Sequence, residues 1–400
     1  MVGALNPMSA TCVLEAPAAA ELRSEWIEDA AEFSRIGAEW RDLFRRANSP
    51  NVFLTFDWMN TWWKHFGKGR PAVIAVRDGS GSLVALAPFY VSRAPRALGA
   101  RRLGFLADEY VGSDYLDMLA APAHAQAAAA EIAGTLLERQ QAWDYIELRD
   151  THDSALAAAL ARRLNGDALD RRVCHYIPLP STFDKYLATL STSLRCNYRR
   201  RWKILQKEHQ GECLILSSAA DIERHFPSLL ALHRMRFERR AAESAFLAPG
   251  VPEFHREAAR ALAGEGQARL LLLRAGGESV AAIYGFPAGQ TFQFYQCGMH
   301  PDWMRQGVGQ VLIGNAIEHA IAAGHHTFDF LRGDESYKTQ WSDVSRETVT
   351  LRFFDDRPGS ARARLGLGAV AALRGAAKGA KADLVAIRQR FLRDSPDGGS

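Results

Sequence analysis

The chain has 400 residues, 48% hydrophobic and 24% charged, an ordinary globular composition in a length that usually divides into two or more domains. A net charge of +4 is too weak to imply nucleic acid and suits an anionic substrate or cofactor. Five scattered cysteines (Cys12, Cys174, Cys196, Cys213, Cys297) form no CxxC pair, which argues against a zinc knuckle or disulfide framework and fits a reducing cytosol.

Residues 1–20, rich in Ala and Pro, read as disordered. They show no basic segment followed by a long apolar core, so no signal peptide is expected. No stretch approaches the length of a membrane span, and the expected location is the cytoplasm. A helical pattern runs from Leu22 to Ala47, and FDWMNTWWKHFG follows as a second helix, capped by Thr55 and ended by Gly67. Its aromatic residues fall on two faces that read as core, with the lining of a groove as the alternative. AVIAVRD, the turn GSGS and LVALAPFYVS read as a β-hairpin. SDYLDMLAAP reads as a strand, AHAQAAAAEIAGTLLERQQ as a helix and WDYIELRD as a strand. Pro178 and Pro180 mark a linker.

The second half repeats the plan. ARLLLLRA, a Gly276–Gly277 turn and SVAAIYGFPAG form a hairpin, and TFQFYQCGM is the next strand. GVGQVLIGNAIEHAIAAG is a helix with Val308, Leu312, Ala316 and Ala320 on one stripe, and HTFDFLRG is a strand. Hairpin, strand, helix and strand therefore occur twice. The expectation is an α/β chain of two like domains at 21–178 and 179–355, each a mixed, mostly antiparallel sheet flanked by helices. Residues 356–400 form a basic Ala/Gly/Arg-rich tail.

The junction HPDWMRQGVGQVL places Gly307 and Gly309 where a helix begins. Glycine admits close backbone approach and positive φ. A helix start offers unpaired N–H groups and a positive dipole end. Together they suit a pyrophosphate, with Arg305 adding charge. A dinucleotide fold would need GxGxxG after the first strand of a parallel unit, and position 312 is Leu. The matching junction of the first half, AAPAHAQAAAAEI, has no glycine, so only the second domain should hold the cofactor.

The strand–loop–helix–strand order and the GVG loop resemble the GNAT N-acetyltransferase fold. FLRGDESYKTQW (330–341), SLRCNYRRRWKIL (193–205) and TFDWMNTWWKHFG resemble the CelD-like acetyltransferases associated with polysaccharide biosynthesis, double-GNAT proteins related to FemAB-type peptidyltransferases. The resemblance covers roughly residues 50–355 and implies acetyl-CoA or another acyl-CoA as co-substrate, with no metal. The family pattern has Arg or Gln three residues before the first loop glycine; here that position is Met304, and Arg305 and Gln306 stand next to it. With Gly307, Val308 and Gly309 they form the expected cofactor loop. Cys297, Gly298 and Met299 lie where this fold uses a backbone N–H to polarise the acyl carbonyl.

The resemblance also implies that Tyr337 protonates the departing thiolate and that Glu335 or Asp334 takes the amine proton. The alternative is a capping cluster with Asp334 as N-cap. Lys338 is a candidate for an anionic substrate group. Asp114, Tyr115 and Asp117 are substrate candidates beside an inter-domain cleft; read as a strand, Tyr115 and Asp117 share a face with Asp114 opposite. On the helix from 193, Leu194, Tyr198, Trp202 and Leu205 make the buried stripe. Arg195 and Arg199 lie one turn apart and suit a phosphate, while Arg201 and Lys203 read as solvated. Cys297 reads as a packed thiol.

These readings imply an N-acyltransferase acting on an amine, with an amino sugar or polysaccharide precursor following from resemblance. The rivals are a FemAB-like aminoacyl-tRNA-dependent transferase and a non-catalytic scaffold. A nucleic-acid partner is not expected, docking on the protein body and weak membrane-surface association are the two readings of the basic tail, and the oligomeric state is open.

Overall fold

The computed structural model describes residues 22–373 except positions 48, 50, 95, 96, 153, 154, 240 and 241. The disordered reading of residues 1–20 lies outside them, as does the tail beyond 373. The first half runs β1 (Arg23–Ile27), α1 (Ala30–Arg35), α2 (Gly37–Arg46), α3 (Phe56–Phe66), β2 (Arg70–Arg77), β3 (Leu83–Ala94), β4 (Ala100–Phe105), β5 (Leu119–Ala120), α4 (Ala125–Glu138), β6 (Tyr145–His152), α5 (Ala155–Arg163) and β7 (Asp167–Pro178). The second half runs α6 (Phe183–Thr189), α7 (Thr192–His209), β8 (Glu212–Leu216), α8 (Ala219–Glu238), α9 (Val251–Gly264), β9 (Arg269–Ala275), β10 (Glu278–Ala288), β11 (Thr291–Met299), α10 (Val308–Ala322), β12 (Thr327–Arg332), α11 (Lys338–Trp341) and β13 (Ser345–Phe354). A further helix covers 358–373.

One continuous sheet holds both halves, in the order β1-β2-β3-β4-β6-β13-β7-β12-β11-β10-β9-β8, with β5 beside β3. Two neighbour pairs are parallel, β4 with β6 and β11 with β12, and each closes one copy of hairpin, strand, helix, strand. The other pairings between named strands are antiparallel. This is the expected architecture, a mostly antiparallel sheet flanked by helices in two like copies. The ranges 21–178 and 179–355 do not separate into two sheets, however. Strand β7 of the first range sits between β13 and β12 of the second.

Burial repeats this fusion. One core combines Trp40, Trp58 and Trp62 of the first half with Phe254, Leu262 and Tyr284 of the second. A second lies on the α7/α10 face, with Tyr198, Leu205, Leu312, Ile317, Phe328 and Phe330. Helix α3 starts at the Thr55 cap and ends at Gly67 as read. Its Trp58 packs edge-on to Phe254 at 4.9 Å and Phe286 at 5.6 Å, so the core reading of its aromatic residues holds over the groove. Truncating a buried tryptophan of this kind costs about 3–5 kcal/mol.

Two readings are corrected. The Leu22–Ala47 pattern opens with β1, because Trp26 and Ile27 pair with Ile74 and Val73 before the helices begin. SDYLDMLAAP is not a strand: residues 111–118 form a loop, Tyr115 has φ +54°, and only β5 and a bridge from Leu116 to Thr151 remain extended pairings. The third strand of the first half is instead ARRLGF, β4. The tail helix docks through buried Ala363 and a hydrogen bond from the Ser360 hydroxyl to the Asp144 carbonyl, and leaves Leu365 and Leu373 exposed.

Candidate active site

Strands β11 and β12 pair only at Thr291–Thr327, Phe292–Phe328 and Gln293–Asp329. Beyond that they part. Strand β12 turns to β7 through a bulge between Asp329 and Arg332, with Leu331 at φ +58°. The gap begins at Phe294 and reaches Met299.

Strand geometry decides what faces the gap. The His300 N–H bonds the Val280 carbonyl of β10 at 2.8 Å, so even-numbered positions there face β10. The Cys297 carbonyl faces the other way and accepts from His233 Nδ1 at 2.8 Å and Arg236 Nη1 at 3.3 Å. A strand residue points its N–H and C=O to the same side, so the Cys297 N–H also faces the gap. Gly298 lets α8 come this close, since a side chain there would collide with the His233 backbone. His233 accepts the Ser244 hydroxyl at Nε2, 2.7 Å away. Burial, helped by Arg236, pushes the imidazole down to about 4, so it stays neutral at physiological pH.

Arg236 also donates to the Cys297 thiol and stands beside Tyr337. The Tyr337 ring lies 6.5 Å from Phe294 and 6.3 Å from Phe330, at the neck of the gap. Burial first, then Cys297 and Glu335, push its hydroxyl well above the usual tyrosine range, with Arg236 opposing. The hydroxyl therefore keeps its proton at neutral pH.

The residues after β12 serve different ends. Lys338 is 2% exposed, and its ammonium donates to the carbonyls of Leu331 at 3.3 Å, Arg332 at 2.9 Å and Gly333 at 3.2 Å. It also pairs with Glu335 at 2.8 Å. Those bonds take its donors into the turn, so the reading of Lys338 as an anchor for a substrate anion is corrected. Glu335 is half-exposed at the rim of the gap. Asp334 is exposed, 3.4 Å from His175 Nε2, and does not cap a helix: α11 starts at Lys338 without a side-chain cap.

The glycine loop forms where expected. Gly307 takes φ +72° and begins α10, which has no side-chain cap, so the first-turn N–H groups have no side chain over them. Arg305 is exposed, and Gln306 is half-buried with Oε1 unpartnered. The cation over the loop is Arg201, read from sequence as solvated. Its guanidinium lies where a Gly307 side chain would be, and Nη1 donates to Gln310 at 2.8 Å. Helix α7 reaches α10 because Gly314 leaves room for Tyr198, whose hydroxyl donates to Asn315 at 2.9 Å. Met299 packs on Gly309. Arg195 and Arg199 do not form a phosphate grip: Arg195 turns to the Leu187 carbonyl at 3.5 Å and Arg199 to Asp184 at 3.0 Å.

Asp114, Tyr115 and Asp117 are all buried rather than edge-exposed. Asp114 accepts the Arg332 N–H at 3.0 Å and pairs with its guanidinium, which also binds Asp150. Tyr115 donates to Asp329 at 3.1 Å, and Arg346 binds both. Asp117 accepts its neighbour Met118 N–H at 2.8 Å. These residues weld the first half to β12, and none of them is open to substrate. Sequence reading missed His233 and Arg236; the only signal for them was LALHRMRFERR, a helical stretch whose His and Arg lie one turn apart.

In the second half a parallel strand pair thus parts beside a glycine loop, with Tyr337 next to the parting. Residues 192–339 match the family model described as Acetyltransferase (GNAT) domain. Among solved structures, the chain is similar to FemX (12% identity, TM-score 0.59, over 84% of this chain and 98% of that one). It is also similar to the C-terminal domain (DUF2156) of an Agrobacterium fabrum protein assigned as a lysylphosphatidylglycerol synthetase (11% identity, TM-score 0.53, over 86% and 98%). Likeness at this identity establishes a shared fold. No curated protein matches the sequence.

Proposed function

We propose that the chain is an N-acyltransferase that moves an acyl group, acetyl in the first instance, from acyl-CoA to an amine borne on a sugar or polysaccharide precursor. The observation that carries this reading is the parting of β11 from β12 after Gln293, on the strand whose Met299 packs against the uncapped glycine start of α10. The first turn of α10 and Arg201 would hold the pyrophosphate, and the Cys297 N–H would bond the acyl oxygen as negative charge grows on it. Glu335, at the rim, would take a proton from the attacking amine as the C–N bond forms. Tyr337 would give its proton to the sulfur as the C–S bond breaks. Arg236 would hold Tyr337 and the Cys297 carbonyl in register.

A FemAB-like aminoacyl-tRNA donor would want a continuous basic face. The 195–203 run does not offer one, because Arg199 is paired with Asp184 and Arg195 turns to the Leu187 carbonyl. The test is release of free thiol from acetyl-CoA with glucosamine as acceptor. Turnover in the wild type and near-complete loss in Tyr337→Phe are expected; equal rates in the two would remove Tyr337 from the mechanism.

A further inference from the structure

The loop between β4 and α4 has no part in the chemistry described so far, yet it is the most over-determined backbone in the first half. Ala107, Tyr110, Gly112 and Tyr115 all have positive φ, between +54° and +72°. At Tyr110 the Val111 N–H bonds the Glu109 carbonyl at 2.9 Å with φ +72°, a γ-turn of the strained kind. Such strain persists only where the surroundings enforce it. Here Trp62 Nε1 donates to the Glu109 carbonyl at 2.9 Å and Trp58 Nε1 to the Ser113 hydroxyl at 2.9 Å. Asn51 binds the carbonyls of Asp114 at 3.1 Å and Tyr115 at 2.7 Å. From the second half, the Tyr295 hydroxyl donates to Val111.

What this clamp displays is the Tyr110 ring. It is 52% exposed and lies flat on Phe66, with centroids 5.1 Å apart and planes 18° apart. Phe66 in turn is backed by the buried Trp62 and Phe254. One face of the tyrosine is thus fixed against core and the other is open. At its rim the Glu109 carboxylate accepts from Arg149 at 2.8 Å. Gly112, also exposed, lies in ordinary contact range of the Tyr295 hydroxyl, and Tyr295 stands two positions before Cys297 on β11. The loop that carries the ring is thus tied through Tyr295 to the strand that lines the gap, and Phe66 beneath the ring packs on Phe254 of the second half.

We propose that Tyr110 on Phe66 is a stacking platform for a pyranose ring, and that the first half supplies the acceptor subsite of the acyl-transfer reaction, a role that rests on the function proposed above. A pyranose carries C–H bonds on one face, which pack on the electron-rich face of an aromatic ring. Its hydroxyls both donate and accept, matching the carboxylate and guanidinium of Glu109 and Arg149. A nucleobase gains most between two rings, and here only one face is open.

The test needs no acyl donor. The full chain is titrated with the methyl glycosides of glucosamine, galactosamine and mannosamine, and with putrescine as an open-chain amine, by saturation-transfer NMR. Saturation of one ring face of a glycoside is expected, with weak or no transfer to putrescine. Tyr110→Ala should weaken glycoside binding about tenfold, while Tyr110→Trp retains it and Tyr110→Ala still binds acetyl-CoA as proof of folding. Equal glycoside binding in Tyr110→Ala, no binding of any glycoside by the wild type, or preferential binding of uridine or adenosine would overturn the platform. Failure of the wild type to bind acetyl-CoA would instead sink the acyl-transfer reading and leave the glycoside titration to decide the platform alone.

Discussion

The pairs β4–β6 and β11–β12 are two copies of one device, and they differ in what fills the gap. In the second half the strands part after Gln293, and the space holds the Cys297 backbone, Arg236 and Tyr337. In the first half they part after Leu103, and the space is closed by a buried ion cluster. Arg102, 2% exposed, binds Asp108 and reaches across to the Glu147 carbonyl at 3.1 Å and its carboxylate at 3.6 Å. Gly104 is there to admit that pair, since a side chain would strike both Arg102 and Asp108. The following connections differ likewise. One is a short glycine turn at a helix start; the other is a long strained loop laid against Tyr295 of its neighbour. The same topology thus gives one parting lined by the Cys297 backbone, Arg236 and Tyr337, and another welded shut where charges plug it.

The comparison can be broken from either side. The largest expected effect is Arg102→Ala. It strands the carboxylate of Asp108 in the interior, while Glu147 keeps Arg149 and Arg352, and should cost about 3–5 kcal/mol of stability by urea denaturation. Burial already pushes the Asp108 carboxyl up despite Arg102, so the loss should ease as pH falls and Asp108 takes up a proton. A cost below about 1 kcal/mol would mean the plug is open to water. Next comes Tyr337→Phe in the second gap, which should lower kcat about 10²-fold with KM for acetyl-CoA little changed. Arg236→Met should lower kcat about tenfold, because the Cys297 carbonyl loses a charged donor; an unchanged kcat would make Arg236 a packing residue only.

The smallest effect concerns the weld between the halves. Burial raises the Asp114 carboxyl to about 6, with the Arg332 guanidinium opposing. In the unfolded chain it titrates near 3.9. The folded form therefore holds a proton that the unfolded form has already lost. Stability from this group is present below about pH 4 and falls as pH rises through about 6. Asp114→Asn removes the titration, so the urea midpoint should depend less steeply on pH across that window than in the wild type.

How far the sequence spoke for this arrangement varied with the kind of signal. In the second half β9 to β11 were legible, since ARLLLLRA, SVAAIYGFPAG and TFQFYQCGM are long apolar runs with glycine turns between them, whereas β8 and β13 were not read. Gly307 could be placed at a helix start because amphipathic periodicity begins beside it. Strand β4 could not be read, because two arginines sit in a six-residue segment and one of them is buried by ion pairing, which no periodicity records. SDYLD alternated like a strand, yet its backbone is fixed by hydrogen bonds from Asn51, far away in sequence. Arg201 looked like part of a solvated charge run until Gly314 let α7 sink onto α10. The interleaving of β7 and β13 depends on long-range pairing and left no local mark.

The most direct test of the contrast between the two gaps is a calorimetric titration of the full chain with acetyl-CoA, repeated on Gly307→Trp and checked by circular dichroism for equal folding. One site per chain in the wild type and none in the variant are predicted, because the plugged first gap cannot accept the thioester. Two sites per chain, binding that survives Gly307→Trp, or no binding by the wild type would contradict the account.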